Sequence, residues 1–556
     1  MKKHPQLAKK FQLLFALQIN PALNSYADIA RVLGVSRQSV SRWCRGTATS
    51  QGDTIPQYQL SKIASEFDLA PHWFGLAFEE FESRVKEKKD REVSGDLNAS
   101  TAISTSTMPI TNLEIFGRDG ELQKLNSYWE DESINIVQLI AFGGVGKSTL
   151  TNRWLSELHA QNYGSAKRVY AWSFYWQGES CDTNSSGDLF IEHALEWFGD
   201  SDATLGTPWA KASRLAKYIR KSKTLLILDG LEPMQFPPGP KCGQIENPAI
   251  ALLIRELAAS NHGLCVITSR MQVEDLVPFE DGRIATIDLN RLSVEASKQL
   301  LRSMGVDGNE KVMEYAAEYY SGHALSLSLL GGYLAVVYEG EIEKIHYIDS
   351  LAEEQKLGHH ASKLIQAYLK WFKNTPELEL LYWISMFDRP VNLSTIKSIS
   401  CSETIDGLSE KLVKLRKSRW AFAVELLKDA NLISAKEIDS ETVLDCHPIV
   451  RDFVANHLKV RECPIWVRGN ELIFDHLQNV AVENPGNMAE LEPLFRAVIH
   501  GIQASMVETA FELYFDRIKK GYIMLSSGNH YADQACIKAF FRDAWTDLDP
   551  NVSRQY

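Results

Sequence analysis

The chain has no Cys-x-x-Cys pair. Its eight cysteines are scattered through 556 residues, which argues for reduced thiols and against a zinc cluster. No apolar run reaches membrane-spanning length: the longest, Ala324 to Val337, is too short and is interrupted by Ser and Gly. The Lys-rich start lacks the apolar core of a signal peptide. A cytoplasmic protein without membrane contact is expected. No nuclease, protease or NAD-cleaving constellation precedes residue 113 and no second substrate site is legible, which argues against a self-contained killer and an ordinary metabolic kinase. The net charge is −12, yet residues 1–64 hold nine Lys or Arg against two Asp. Apolar residues make up 45% of the chain, enough for sizeable cores in three or four domains.

The most informative run is Ile134-Asn-Ile-Val-Gln-Leu-Ile-Ala-Phe-Gly-Gly-Val-Gly-Lys-Ser-Thr149. Residues 134–140 suit a buried parallel strand, and Gly143, Gly144 and Gly146 then allow a tight loop whose N–H groups point at one anion. Lys147 brings a positive charge for β- and γ-phosphates, and Ser148 offers a hydroxyl to Mg²⁺. Val145 and Thr149 complete the loop, and the following helix turns its partly positive N-terminus toward the phosphates. Average residue usage gives the pattern in ~0.001 of chains this long, so a nucleoside triphosphate site is expected. Ala141 stands where the strict pattern has Gly and requires a negative φ.

A second apolar strand, Thr224-Leu-Leu-Ile-Leu-Asp229, ends in a carboxylate. In a doubly wound sheet ligands sit at the carboxyl ends of the strands, so Asp229 is placed to reach the Mg²⁺ shell. The next carboxylate, Glu232, is either a base or a loop charge; Gly230 directly follows Asp229, so turnover is expected to be slow, as suits a switch. A third strand, Gly263-Leu-Cys-Val-Ile-Thr-Ser-Arg270, ends in Thr268 and Arg270, candidates to sense a γ-phosphate.

Residues 113–455 resemble the nucleotide-binding core of the STAND class of NTPases, the NB-ARC-like branch of the P-loop ATPases. The matching pieces occur in family order: Phe116-Gly117-Arg118-Asp119, Ala141 to Thr149, Arg168 to Tyr175, Leu225 to Glu232, Thr268-Ser-Arg270, Leu292-Ser-Val-Glu-Ala296, Gly322-His-Ala-Leu325 and Leu444-Asp-Cys-His447-Pro-Ile-Val-Arg451. The resemblance implies that Arg118 belongs to a motif lying against the base and that His447 touches the β-phosphate of ADP. It also implies adenine nucleotides as ligands, ADP closing the core and ATP opening it for homo-oligomerisation.

At the basic N-terminus, Ser25 to Leu33 is amphipathic, Gly34 breaks it, and Ser36-Arg-Gln-Ser-Val-Ser-Arg-Trp-Cys-Arg45 opens a second helix with Ser36 as its cap. Helix, glycine turn, helix is a DNA-reading pattern. Ile29, Leu33, Val35, Val40 and Trp43 would form the small core, leaving Arg37, Gln38, Ser41, Arg42 and Arg45 to face bases and phosphates. The stretch resembles the lambda-repressor-like helix-turn-helix family.

The expected class is multidomain α and α/β. A helix-turn-helix domain occupies residues 1–84 and a flexible Ser/Thr-rich tether 85–112. A P-loop doubly wound parallel sheet (113–288), a helical lid (289–345), a winged helix (346–460) and TPR-like, α-solenoid-like sensor helices (461–556) follow. Ala497, Gly501 and Ala510 suit a close helix crossing there, but the array holds fewer repeats than a solenoid needs. The combination points to an ATP/ADP-switched regulator that binds DNA and answers a protein or small-molecule trigger at its C-terminal helices. The alternative is a bacterial antiphage defence receptor whose N-terminal module recruits an effector or engages foreign DNA.

Overall fold

The computed structural model describes residues 7–16, isolated positions between 29 and 85, then 101–111, 114–174, 183–200, 202–279, 282–349, 360–438, 440–485, 488–518 and isolated positions between 536 and 548. It comprises two units, residues 1–100 and 101–556. In the first, the helix Leu7–Ala16 (α1) buries Phe11, whose ring lies 5.9 Å from Phe74. Buried Lys10 donates to the Phe74 carbonyl at 2.8 Å. Ile29 and Val40 are buried. The residues of the expected DNA-binding helix, its cap Ser36 with Arg37, Gln38, Ser41, Arg42 and Arg45, lie outside the described residues.

The second unit is built on a six-stranded sheet: β1 (Ala102–Ser104), β2 (Ile136–Ile140), β3 (Arg168–Ser173), β4 (Thr224–Asp229), β5 (Leu264–Ser269) and β6 (Ile284–Asp288). Their order is β1-β3-β4-β5-β2-β6, and every pairing is parallel. Strand β1 corrects one expectation. The tether drawn over 85–112 includes a sheet edge, because Ala102 to Ser104 pair with Arg168 to Tyr170 and Thr107 Oγ1 donates to the Ala171 carbonyl at 2.9 Å.

The apolar strands are buried on both faces, as a parallel sheet covered by helices requires. Alternate residues serve opposite layers. Val137, Leu139, Leu225 and Ile227 pack with Leu125, Leu150 and Trp154 of the helices Asp119–Glu130 (α2) and Lys147–Ala160 (α3). Ile136, Leu226, Leu228 and Ile267 face Thr183–Phe198 (α4), Pro208–Arg220 (α5) and Pro248–Ala259 (α6). Pro at the first helical position and a side-chain cap start α5 and α6: Thr207 accepts from Ala210 N–H, and Asn247 from Ala249 and Ile250 N–H.

Helices Val294–Ser303 (α7), Glu310–Tyr319 (α8) and Ala324–Tyr338 (α9) follow the sheet, then Ile345–Asp349 (α10). Next come His360–Trp371 (α11), Pro376–Met386 (α12), Leu393–Ser402 (α13), Lys417–Asp429 (α14) and Pro448–Arg461 (α15). Beside them lies a small antiparallel sheet of β7 (Val391–Asn392), β8 (Ser434–Ile438) and β9 (Glu441–Asp445), ordered β7-β9-β8. Cys463–Val480 (α16), Met488–Gln503 (α17) and Val507–Arg517 (α18) complete the helical part. A Cβ at Gly501 would lie 3.0 Å from that of Ala510, so α17 and α18 cross where small residues permit it.

One apolar core runs from Leu301 to Phe540, across the boundaries drawn at residues 345 and 460. It carries an ion cluster: Arg389 Nη1 lies 2.5 Å from Glu492 and Arg496 Nη2 3.2 Å from Asp388. Burial pushes the Asp388 carboxyl up, but Arg496 and Arg389 outweigh it and hold the pKa at about 2. Among the described residues no helix is long and apolar enough to cross a membrane, and Cys242, Cys265, Cys401, Cys446, Cys463 and Cys536 are free thiols.

The turn that introduces α9 depends on Gly322, at φ +62°, where a Cβ would stand 2.1 Å from the Leu292 carbonyl oxygen. Left-handed backbone costs a side chain about 1–3 kcal/mol before any clash. Gly322→Ala should therefore lower the unfolding midpoint of the nucleotide-free chain in a denaturant titration, by the equivalent of about 3 kcal/mol. An unchanged midpoint would refute this account of the turn.

Candidate functional site

Because all six strands are parallel, their carboxyl ends share one edge, and the candidate residues gather there. The loop 141–146 leaves β2 and runs into α3. Ala141 keeps a negative φ, while Gly144 and Gly146 take φ +75° and +107°. A trans peptide points its C=O and N–H in opposite directions, so the partners of the carbonyls fix where the amides look.

Every carbonyl from Ala141 to Val145 accepts a hydrogen bond. Lys147 Nζ donates to Ala141 at 2.7 Å and Phe142 at 3.4 Å; the Gly143 oxygen meets His323 Nε2 at 2.8 Å; Leu325 N–H donates to Gly144 at 3.0 Å; and Arg118 Nη2 donates to Val145 at 3.4 Å. Among the described residues, none of the amides of 142–146 donates to a protein acceptor. The result is a nest of unspent N–H groups at the start of a helix, suited to a phosphate.

Arg118, expected in a motif against a base, is buried and gives its donors to the protein: Val145 O, Asn290 O at 2.7 Å and Glu121 at 3.1 Å. Thr149 stands in the first turn of α3. Ser148 Oγ lies 2.9 and 3.0 Å from the two carboxylate oxygens of Asp229. Fully buried Asp229 also accepts from Thr268 Oγ1 at 2.8 Å and Ser173 Oγ at 3.3 Å. Burial pushes its pKa up, against the hydroxyl bonds from Thr268 and Ser148. Thr268 differs from expectation. It is wholly buried, donating to Asp229 while accepting from Gly230 N–H at 2.7 Å, and so it orients the aspartate.

Glu232 starts a single 3₁₀ turn after Gly230, which has φ +66°. Its carboxylate oxygens are buried and accept no hydrogen bond, but they face Lys147 at 3.5 Å and Arg270 at 3.8 Å. Burial lowers the Lys147 pKa, opposed by the charges of Glu232 and Asp229. Arg270 lies against the loop: a Cβ on Gly143 would be 3.4 Å from its Nε.

His447 caps α15, its Nδ1 accepting from Ile449 N–H at 3.2 Å. It is half-buried, and its pKa is held well below the usual histidine range, by burial first and then by the neighbouring His323 ring and the positive charges of Arg270 and Lys147. Residues from sequence positions 147, 229, 232, 270 and 447 thus meet at one place. Sequence reasoning missed the roles of His323 and Ser173. His323 stood inside the Gly322 to Leu325 motif, but neither residue has a local pattern that reveals its partner.

Ser148 and Asp229 form an oxygen pair suited to a hard cation held jointly with phosphate oxygens. Their fit to Mg²⁺ lies in the shared Ser148–Asp229 contact beside an amide nest with no protein acceptor. A wholly parallel sheet whose strand ends bring together a glycine loop, a lysine and a buried aspartate fits a P-loop ATPase fold.

No family model matches the chain. An uncharacterised WD-repeat-containing protein of Nostoc sp. is 22% identical over 410 residues, 70% of this chain and 30% of that protein. Among solved structures, the chain is similar to a signal transduction ATPase with numerous domains and a tetratricopeptide repeat sensor from Pyrococcus horikoshii, at 15% identity and TM-score 0.48, over 80% of this chain and 60% of that one. It is also similar to the ORC1 protein of Aeropyrum pernix in complex with DNA, at 12% identity and TM-score 0.31, over 62% and 94% of the two chains. The chain thus spans 30% of the length of the curated relative it matches.

A raised pKa at Asp229 means that the fold disfavours its charge. The penalty is absent below the unfolded value, near 3.9, where both states are protonated, and is complete once pH exceeds the folded value. Asp229→Asn should therefore raise the melting temperature of the nucleotide-free chain at pH 7 and give a smaller gain as pH falls. A variant less stable than the parent at pH 7 would contradict this reading of the buried carboxylate.

Proposed function

We propose that this chain is a STAND-type signalling ATPase, switched between ADP- and ATP-bound forms, that binds DNA through its N-terminal helix-turn-helix and oligomerises when ATP is bound. The observation that carries the nucleotide reading is the loop whose carbonyls at 141–145 are all engaged while, among the described residues, its amides at 142–146 make no protein bond.

In this reading, the amides of 143–149 hold the phosphate chain and Lys147 neutralises its β- and γ-oxygens. Ser148 and Asp229 would hold Mg²⁺, which when bound neutralises charge on the phosphates. Arg270 faces the γ-phosphate, and His447 meets the β-phosphate of ADP. Glu232 is the carboxylate beside them. When Lys147 and Arg270 turn toward phosphate, Glu232 can accept the proton of a water that attacks the γ-phosphorus as the bond to the β-phosphate oxygen breaks. One carboxylate, offset three residues from Asp229, supports slow turnover and therefore a timer. The basic N-terminal region supplies the DNA contacts, and the C-terminal helices receive a protein or small-molecule trigger.

Lys147→Ala should abolish nucleotide retention, read as ADP released from the denatured, purified chain; stoichiometric ADP in the variant would show that the loop is misassigned. His447→Ala should speed release of fluorescent ADP about tenfold, the equivalent of about 1.4 kcal/mol, and unchanged kinetics would remove His447 from the phosphate site. Fluorescence anisotropy of the full chain on duplex DNA at low salt, with ADP or with ATP, tests the DNA arm. Binding in either state supports it. Its absence in both leaves the effector-recruiting defence receptor as the reading.

A further inference from the structure

We propose that His323 is a positioning residue for nucleotide: it ties the phosphate loop to helix α9, so the loop keeps its anion-binding shape only while that helix is seated. This rests on the nucleotide reading above. It adds a residue and a coupling that the loop motif does not contain.

The hydrogen bonds fix the ring's tautomer. Nδ1 accepts from Ser326 N–H at 3.3 Å, capping α9, and lies 2.9 Å from Ser326 Oγ. The proton is therefore on Nε2, which donates to the Gly143 carbonyl at 2.8 Å. One imidazole performs two separable tasks, capping its own helix with one nitrogen and holding the loop with the other.

The bond falls on the peptide most able to turn over. Both torsions flanking the Gly143–Gly144 peptide belong to glycines, which resist rotation least. Holding the Gly143 oxygen outward points the Gly144 N–H inward, because the two are opposed across one plane. Leu325 N–H does the same for the next peptide through the Gly144 oxygen. The other engaged carbonyls of the loop take their donors from Lys147 and Arg118; only the Gly143 and Gly144 oxygens depend on the cap and first turn of α9.

Packing makes the dependence steric as well. A Cβ on Gly144 would lie 2.8 Å from His323 Cε1 and 3.0 Å from the Leu325 Cβ, so ring and loop are in direct contact. Unseating α9 removes both donors at once and frees the glycine peptide to rotate its amide away from the anion. Nucleotide release thereby becomes linked to the position of α9.

Two substitutions separate the tasks. Asn presents its oxygen near the position of Nδ1 and is a strong N-cap, but it is too short to reach Gly143; Gln extends its amide nitrogen toward the position of Nε2. In the full-length protein, H323N should release fluorescent ADP about fivefold faster than the parent, the effect of one neutral hydrogen bond, with the melting temperature of the nucleotide-free chain unchanged. H323Q should stay within about twofold of the parent rate, with a lower melting temperature. An H323N release rate equal to the parent's, or equal rates for H323N and H323Q, overturns the proposal. A parent chain that takes up no fluorescent ADP instead removes the nucleotide reading itself, a failure visible without either variant.

Discussion

The constraint on which the structure depends is the opposed polarity of the peptide unit. A loop can offer amides to an anion only if the oxygens on its other side have somewhere to go, because buried carbonyls left unpaired are costly. Here the donors for those oxygens come from Lys147 within the motif, from Arg118 before it, and from His323 and Leu325 some 180 residues later. The phosphate nest is thus a product of the whole second unit. The glycines permit its shape, and distant donors select it.

The same economy governs the charges. Asp229 lies fully buried at the end of β4, where its charge is disfavoured, and three hydroxyls supply its hydrogen bonds. Lys147, Glu232 and Arg270 form a compact group in which the carboxylate faces two cations. Such an arrangement is a weak source of stability, since desolvation offsets much of the attraction. It makes physical sense as a set of charges held ready for a highly charged ligand.

Much of this was legible in the sequence because the signals are local. The apolar strand before the glycine loop, the strand ending in Asp229 and the strand ending before Arg270 all formed where their patterns placed them. What escaped depends on contacts remote in sequence. Thr268 reads as a candidate γ-phosphate sensor at a strand end, and only the placing of β5 beside β4 reveals that its hydroxyl bonds to Asp229. Residues 102–104 look like tether because their Ser/Thr-rich composition carries no apolar pattern, and only pairing with β3 makes them a strand. His323 had no readable role because its partner is a backbone oxygen, which no side-chain pattern can announce.

The unbroken core from Leu301 to Phe540 has a mechanical consequence. Close-packed interiors are stiff, and the Asp388–Arg496 and Arg389–Glu492 pairs cross-brace the base of α12 to α17. Helix α15, which begins beside His447, is part of that same mass. Among the described residues, the far helices and the helix that His447 caps are thus bonded into one stiff block, so the phosphate edge and α18 share a single footing.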